Sequence, residues 1–169
     1  MKKSTFVKTS IFSLILAAAV AGCSTEGKEE AEEKVNMDQV PQAVKDTLKT
    51  YAAESDVKGI EKGDQDGTKV YEFDIEQGAK KFEVAIAANG KYQGQEEDIE
   101  LAAMPDAAQK ALNDKAAGGK VSGCEKATDK DGKVSFEADI VDKDGKKFEV
   151  AVNADGKIVS TEAAGKEKD

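Results

Sequence analysis

The stretch KKFEVAIAANGK at residues 80–91 returns as KKFEVAVNADGK at residues 146–157. In both copies apolar side chains alternate with other residues, which is typical of a β-strand that buries one face. Each copy ends in an Asx-Gly pair, and such pairs favour a tight turn between antiparallel strands. Nine of the twelve positions are identical. The sequence therefore indicates that one small antiparallel β module is encoded twice.

The similarity extends outward from this stretch. The further matching segments, at offsets of 64 or 65 residues, are 40–48 with 104–112, 57–62 with 121–126, and 66–75 with 131–140. Each copy opens with a proline and then apolar residues at helical spacing, and proline is favoured in the first turn of a helix. The predicted fold class is α+β, with two tandem repeats that each pack a helix on a small antiparallel β-sheet. A module of about 60 residues is marginally stable alone, so the two are expected to pack as one unit.

The N-terminus predicts export and a lipid anchor. Lysines precede an apolar run at residues 11–21 that is shorter than the roughly 20 residues of a membrane-spanning helix. The run ends in Val20-Ala21-Gly22-Cys23, which resembles the lipobox of bacterial lipoproteins. That resemblance implies cleavage before Cys23 and lipidation of its thiol and amino group. The alternative is an ordinary secretory signal with an incidental cysteine.

These features divide the chain into five expected parts. They are a lipoprotein signal peptide at 1–22, a charged tether at 23–37, the first repeat at 38–98, the second repeat at 99–162, and a disordered tail at 163–169. The expected location is the cell envelope. If the cell has two membranes, the expected side is the periplasmic side of the outer membrane.

Three sequence elements of each repeat together resemble the PepSY-like family. They are a hydrophobic-Pro-x-Ala helix start, a Tyr/Phe-Glu-x-Asp-Ile strand, and the Lys-Lys-Phe-Glu-Val strand that ends in an Asx-Gly turn. The tandem arrangement is similar to the beta-lactamase-inhibitor-like members of that group. The resemblance implies exported, often lipid-anchored modules that bind or restrain other proteins, peptidases among them. The matched positions are structural, so no catalytic residue and no inhibitory loop is transferred to this chain.

The composition excludes many chemistries. The chain has no His and no Trp, and all 25 of its cationic residues are lysines. Nucleophilic triads with histidine, histidine metal sites and bidentate guanidinium clamps are therefore absent. Loss of residues 1–22 would change the net charge from −9 to −12. We expect no enzyme activity, no cofactor, no metal site and no nucleic-acid partner, because nucleic acids recruit basic surfaces.

One face of the predicted sheet is the candidate binding surface. The alternation places acidic side chains opposite the core, on a face expected to be solvated. We expect this face to bind a basic partner from the envelope or its surroundings. Tyr92, beside a turn, is either an interface anchor or a core residue. The candidate residues are Glu72, Asp74, Glu83, Tyr92, Glu137, Asp139 and Glu149.

Two other features have structural explanations. Cys124 occupies the position that Ile60 holds in the first copy, so it is interpreted as a small core residue rather than a reactive thiol. The Asp-x-Asp-Gly strings at 64–67, 129–132 and 142–145 lack the acidic residue that closes a calcium loop, so they are interpreted as hairpin turns.

The predicted function is that of a lipid-anchored, non-catalytic envelope protein that binds or restrains another protein. Its membrane contact is the lipid on Cys23. The alternative is a structural or weakly calcium-binding acidic lipoprotein without a specific protein partner. Neither the partner nor the oligomeric state follows from the sequence.

Overall fold

The computed structural model describes residues 32–65 and 67–163. These residues form nine strands and two α-helices, with short 3₁₀ turns at Met37–Gln39, Glu54–Asp56 and Leu101–Ala103. The helices are α1 (Gln42–Leu48) and α2 (Asp106–Ala116). The strands are β1 (Glu33–Lys34), β2 (Val57–Gln65), β3 (Thr68–Gln77), β4 (Lys80–Ala87), β5 (Tyr92–Asp98), β6 (Lys120–Asp129), β7 (Val134–Val141), β8 (Lys147–Val152) and β9 (Ile158–Ala163). No helix among these residues is long and apolar enough to cross a membrane.

The predicted fold class is wrong. All nine strands belong to one antiparallel sheet in chain order, β1 to β9, and the two helices have only 7 and 11 residues. The protein is therefore mainly β and does not consist of two separate helix-on-small-sheet repeats. The physical reason is that alternation and turn residues specify which strands form a hairpin, whereas they carry no information about how many strands share a sheet.

The chain divides into two compact units, with the boundary between Glu96 and Glu97. We call the described residues 32–96 the N-terminal unit and 97–163 the C-terminal unit. In the N-terminal unit Val44 and Leu48 of α1 are buried together with Phe73 and Ile75 of β3. In the C-terminal unit the buried core residues include Ala108 and Leu112 of α2 and Ile140 of β7.

The folded part begins earlier than the sequence indicates. Glu33 and Lys34 form β1 against Lys62 and Glu61 of β2, within the segment expected to be a tether. The backbone N–H of Val35 donates to the carbonyl of Ile60 at 3.0 Å, and the Val35 side chain is buried in the N-terminal core. A single apolar residue among charged ones gives no periodicity, so only tertiary contact reveals this strand.

Both helices begin after the predicted proline and lie against an Asx-Gly turn. Pro41 and Pro105 are the N-cap residues of α1 and α2. Gly90 has φ +84°, and an added Cβ would lie 2.8 Å from the carbonyl oxygen of Ala43. Gly156 has φ +77°, and its added Cβ would clash with the carbonyl oxygen of Ala107. Each glycine therefore serves both the turn and the close approach of the helix.

Candidate functional site

The strand register brings the predicted acidic residues together within each unit. In the N-terminal unit Glu61 lies opposite Glu72, and Asp74 lies opposite Glu83. Residues directly opposite each other on neighbouring strands project from the same face of a sheet. These four carboxyl groups therefore occupy one face, which we call the N-terminal acidic face.

The C-terminal unit repeats this arrangement over four strands. Its cross-strand pairs are Glu125 with Glu137, Asp139 with Glu149, and Glu149 with Glu162. We call these five residues the C-terminal acidic face. Three of them, Glu137, Asp139 and Glu149, are predicted site residues, whereas Glu125 and Glu162 are additions from the register. Their signal in the sequence is the period-2 spacing within β6 and β9, which is weak because the apolar residues of these two strands do not alternate regularly.

The prediction that this face is solvated is wrong for three of its residues. Glu72, Glu83 and Glu137 expose only 5%, 9% and 3% of their surface. The alanines opposite or beside them on the same face, Ala85 and Ala151, are also buried. Alternation of apolar and charged residues shows which side chains share a face, but not whether the charged face is covered.

A fourth buried carboxyl, that of Glu96 in β5, was missed from the sequence. Glu96 is 6% exposed. Its strand carries three acids in a row from residue 96, which resembles an exposed edge more than a buried strand. The sequence therefore offers no local feature that distinguishes Glu96 from its exposed neighbour Asp98.

Asp74 and Asp139 are partly exposed and lie over a glycine of the neighbouring strand. A Cβ added at Gly59 would clash with the Asp74 carboxylate, and one added at Gly123 would clash with the Asp139 carboxylate. The ladder is irregular at both glycines, with register shifts between Val57 and Gly59 and between Ser122 and Glu125. Glycine is favoured where another group must approach the backbone closely.

Glu137 is the most perturbed carboxyl group of the C-terminal acidic face. Burial, together with the neighbouring carboxylates of Glu149, Glu125 and Glu162, raises the pKa of Glu137 to about 8. The Ser135 hydroxyl donates to Glu137 Oε1 at 3.2 Å and opposes this shift. Glu137 therefore holds a proton at neutral pH because it is desolvated and surrounded by negative charge.

Two further carboxyl groups have raised pKa values. Burial raises the pKa of Asp139, and Lys147 lowers it by a smaller amount. Burial also raises the pKa of Glu61, and the Glu32 side chain raises it further. Both acidic faces thus contain groups whose ionisation is disfavoured by their surroundings.

Tyr92 packs inside the N-terminal unit. Its ring stacks on that of Tyr51, with centroids 5.4 Å apart and planes inclined by 13°. It is partly buried against the N-terminal core. This packing supports the core interpretation of Tyr92 over the anchor interpretation.

Cys124 and the Asp-x-Asp-Gly strings have local structural roles. Cys124 is half-buried against the C-terminal core. Burial is the main cause that raises the pKa of its thiol to about 11, and the negative charges of Glu100 and Asp139 contribute to the same shift. Oδ1 of Asp129 accepts the N–H groups of Asp131 and Lys133, both at 2.9 Å. The carboxylates of Asp64 and Asp142 accept turn N–H groups in the same way. These strings are hairpin turns, as predicted.

The described part of the chain contains no group of three or more His, Cys, Asp or Glu residues arranged to hold a metal ion. Cys23 and the signal peptide lie outside the described residues.

Comparison with known proteins gives relatives by structure only. No protein family matches the chain, and no curated protein matches it. A DUF2874 family protein of Bacteroides ovatus superposes with a TM-score of 0.60 at 15% identity, covering 75% of this chain and 89% of that one. A BLIP-like protein of Bacteroides fragilis gives a TM-score of 0.57 at 17% identity, over 77% and 92% of the two chains.

A third solved structure is that of a Bacteroides eggerthii protein whose name proposes a periplasmic location. Its TM-score is 0.59 at 14% identity, and the match covers 73% of this chain and 88% of that one. At these sequence identities the similarity shows a shared fold only. The predicted beta-lactamase-inhibitor-like character is thus confirmed at the level of fold, whereas none of these proteins bears the PepSY name. The chain has the fold of the BLIP-like and DUF2874 proteins.

Proposed function

We propose that this protein is a non-catalytic binding protein of the bacterial cell envelope, and that its acidic faces bind a basic partner protein. The observation that carries the proposal is the concentration of carboxyl groups on one sheet face in each unit. In the C-terminal unit five of them lie on four consecutive strands. A rigid strand frame fixes their spacing, so an incoming cationic surface meets preorganised negative charge.

The electrostatics of Glu137 support a cationic partner. The charged side chains that raise its pKa are the three carboxylates of Glu149, Glu125 and Glu162. Their effect on Glu137 shows that the electrostatic potential at this face is negative. That potential attracts a cationic partner.

The envelope location is part of the proposal. It rests on the basic start, apolar run and lipobox-like end at residues 2–23, and on the fold shared with a protein named as periplasmic. Lipidation of Cys23 would anchor the chain firmly, since two or more acyl chains give stable attachment where one does not. The negative net charge would oppose direct binding to an anionic lipid surface.

A binding role suits the residues better than a catalytic one. The buried acids of the two faces are flanked by alanines and other carboxyl groups, whereas the aromatic residues Phe73, Phe82 and Phe136 are buried in the cores. Carboxylate-based hydrolysis of sugars would need an acid with a raised pKa beside walls that hold the substrate.

The test is crosslinking capture from envelope extract, with the full mature protein in detergent as bait at low and at high salt. Captured proteins are identified by mass spectrometry. We expect one basic protein to be enriched at low salt and to be captured in smaller amount at high salt, because salt screens exposed charges. Reproducible capture of nothing would contradict the proposal and favour the structural or cation-binding alternative.

A matched pair of variants locates the surface. Glu125→Gln/Glu149→Gln/Glu162→Gln neutralises three groups of the C-terminal acidic face. Asp106→Asn/Asp131→Asn/Asp144→Asn removes the same charge from exposed positions in the same unit. We expect about a tenfold loss of affinity for the captured protein from the first variant and little change from the second. Equal losses would show that net charge, and not this face, attracts the partner.

Tyr92→Ala tests whether Tyr92 is also an anchor. Because Tyr92 stacks on Tyr51, we expect this variant to lose stability by about 1–3 kcal/mol and to keep its partner affinity once folded. A loss of affinity in a variant with native stability would restore the anchor interpretation.

A further inference from the structure

Strand β9 ends the sheet with an exposed edge. In the strand order β9 follows β8, and no strand among residues 32–65 and 67–163 follows β9. Its Ile158 and Val159 are 44% and 38% exposed and are the exposed large hydrophobic residues of the described chain. Sheet edges are usually protected by lysine, proline or a bulge. Strand β9 contains neither lysine nor proline, and the devices within it that disfavour pairing are the register shift around Val159 and the charge of Glu162.

The corresponding strand of the N-terminal unit shows what this edge lacks. Tyr92 of β5 corresponds to Ile158 of β9 at the offset of 66 residues. Strand β5 lies inside the strand order, and its Gly94 and Glu96 are buried. The corresponding Ser160 and Glu162 of β9 are only partly buried. The same strand position is thus covered in one copy and uncovered in the other.

The two sides of this edge differ in chemistry. Ile158, Thr161 and Ala163 lie opposite Val152, Val150 and Phe148, so they share the side of the C-terminal core. Ser160 and Glu162 lie opposite Ala151 and Glu149, so they share the C-terminal acidic face. A strand added here would place alternate side chains beside apolar residues and beside carboxylates.

We infer that the β9 edge, Ile158–Ala163, binds an extended segment of the partner by strand addition, and that this segment alternates apolar with basic residues. The inference rests on the proposed function, because it specifies how the basic partner is held. Backbone hydrogen bonds to β9 supply affinity, and the alternating side chains supply specificity. A second copy of this chain fits less well, since the net negative charge repels it and β9 has no lysine to meet Glu162.

The probe is a labelled, end-blocked peptide Lys-Val-Lys-Val-Lys-Val, titrated into the full mature protein in detergent and measured by fluorescence anisotropy. One control peptide, Lys-Lys-Lys-Val-Val-Val, keeps the composition and loses the alternation. A second control carries N-methyl groups on alternate residues, which removes backbone donors and keeps the charge. We expect binding of the alternating peptide to exceed that of either control by at least about tenfold.

Variants of the edge test the position. Val159→Lys places a lysine on the exposed edge, the usual device against strand addition. Ala154→Lys adds the same charge at an exposed position of the preceding loop. We expect Val159→Lys to lower the affinity for the alternating peptide by about tenfold. Ala154→Lys should leave that affinity nearly unchanged. Amide hydrogen exchange at Ser160–Ala163 slows on peptide addition if a strand is added, which a purely electrostatic contact does not cause.

The outcomes separate this inference from the function on which it rests. Equal binding of the alternating and N-methylated peptides would overturn strand addition while leaving a basic partner on the acidic face. Self-association of the protein through β9, abolished by Val159→Lys, would overturn the assigned occupant. Loss of salt-sensitive capture from envelope extract would instead contradict the proposed function.

Discussion

At the scale of single residues, the buried carboxyl of Glu137 links the fold to solution conditions. Its pKa of about 8 lies above the ordinary 4.5, so the folded protein holds this proton more tightly than the unfolded chain does. The stability that Glu137 contributes is complete below about pH 4.5 and is lost as the pH rises through 8. One such group changes the free energy of unfolding by at most about 1.4 kcal/mol per pH unit.

We therefore expect the C-terminal unit to lose stability between pH 5 and pH 8. Glu137→Gln keeps the shape and the Oε1 acceptor of the Ser135 hydroxyl, so it should flatten this dependence and be the more stable protein at pH 8. Urea denaturation followed by circular dichroism at several pH values checks this. Asp131→Asn, at an exposed turn, is the control and should retain the wild-type dependence. An unchanged slope in Glu137→Gln would contradict the assignment.

A second residue-scale prediction concerns the Cys124 thiol. Its pKa rises from 9.0 to about 11, which lowers the thiolate fraction at neutral pH by roughly a hundredfold. We expect native Cys124 to react with iodoacetamide about a hundred times more slowly than in the urea-unfolded chain. Mass spectrometry of the peptide that contains Cys124 measures both rates. Equal rates would show that the thiol is accessible and ionises normally.

At the scale of elements, the contact between each helix and an Asx-Gly turn holds the helix on the sheet. Thr47 of α1 donates its hydroxyl to the carbonyl of Gly90 at 2.7 Å, in addition to the close approach of Ala43. The repeated proline marks the start of a helix, and the repeated Asx-Gly pair marks the turn against which that helix packs. In the sequence the proline and the Asx-Gly pair are 48 residues apart in the first copy and 50 in the second, and only the fold shows that the helix and the turn meet.

Gly156→Ala tests this contact against a matched glycine. Gly156 and Gly145 both have a left-handed φ, of +77° and +80°, but only at Gly156 does an added Cβ meet neighbouring atoms, those of Ala107. We expect Gly145→Ala to cost about 1 kcal/mol from backbone strain alone. Gly156→Ala should cost about 2–4 kcal/mol, because the helix must also shift. Urea denaturation measures both, and equal costs would show that the helix contact contributes nothing.

At the scale of the whole molecule, the proposed anchor and the acidic faces have separate roles. The lipid on Cys23 would hold the protein at a membrane, whereas the sheet faces and the β9 edge would recognise the partner. Removal of the anchor should therefore change where the protein is found without changing what it binds.

Cys23→Ala tests this division. We expect the wild-type chain to incorporate labelled palmitate and to fractionate with membranes, and the variant to do neither. Capture of the partner from extract should be equal for both proteins, because the substitution changes no residue of either acidic face. Palmitate incorporation by the variant would contradict lipidation at Cys23.

The sequence by itself determined what depends on neighbours along the chain. The helix starts at Pro41 and Pro105, the hairpin turns, and the facing of Glu72 and Glu137 away from the core all follow from local sterics and from period-2 alternation. It also placed three of the five members of the C-terminal acidic face.

Only the tertiary structure decided the features that depend on distant segments. They include the single nine-stranded sheet, the burial of Glu72, Glu83, Glu96 and Glu137, the packing of Val35 and Tyr92, and the exposed edge at β9. An alternating strand has the same pattern whether its polar face is bare or covered and whether its edge is paired or free. The residues that bury a polar face or pair with an edge lie far away in the chain, so no local pattern can encode them.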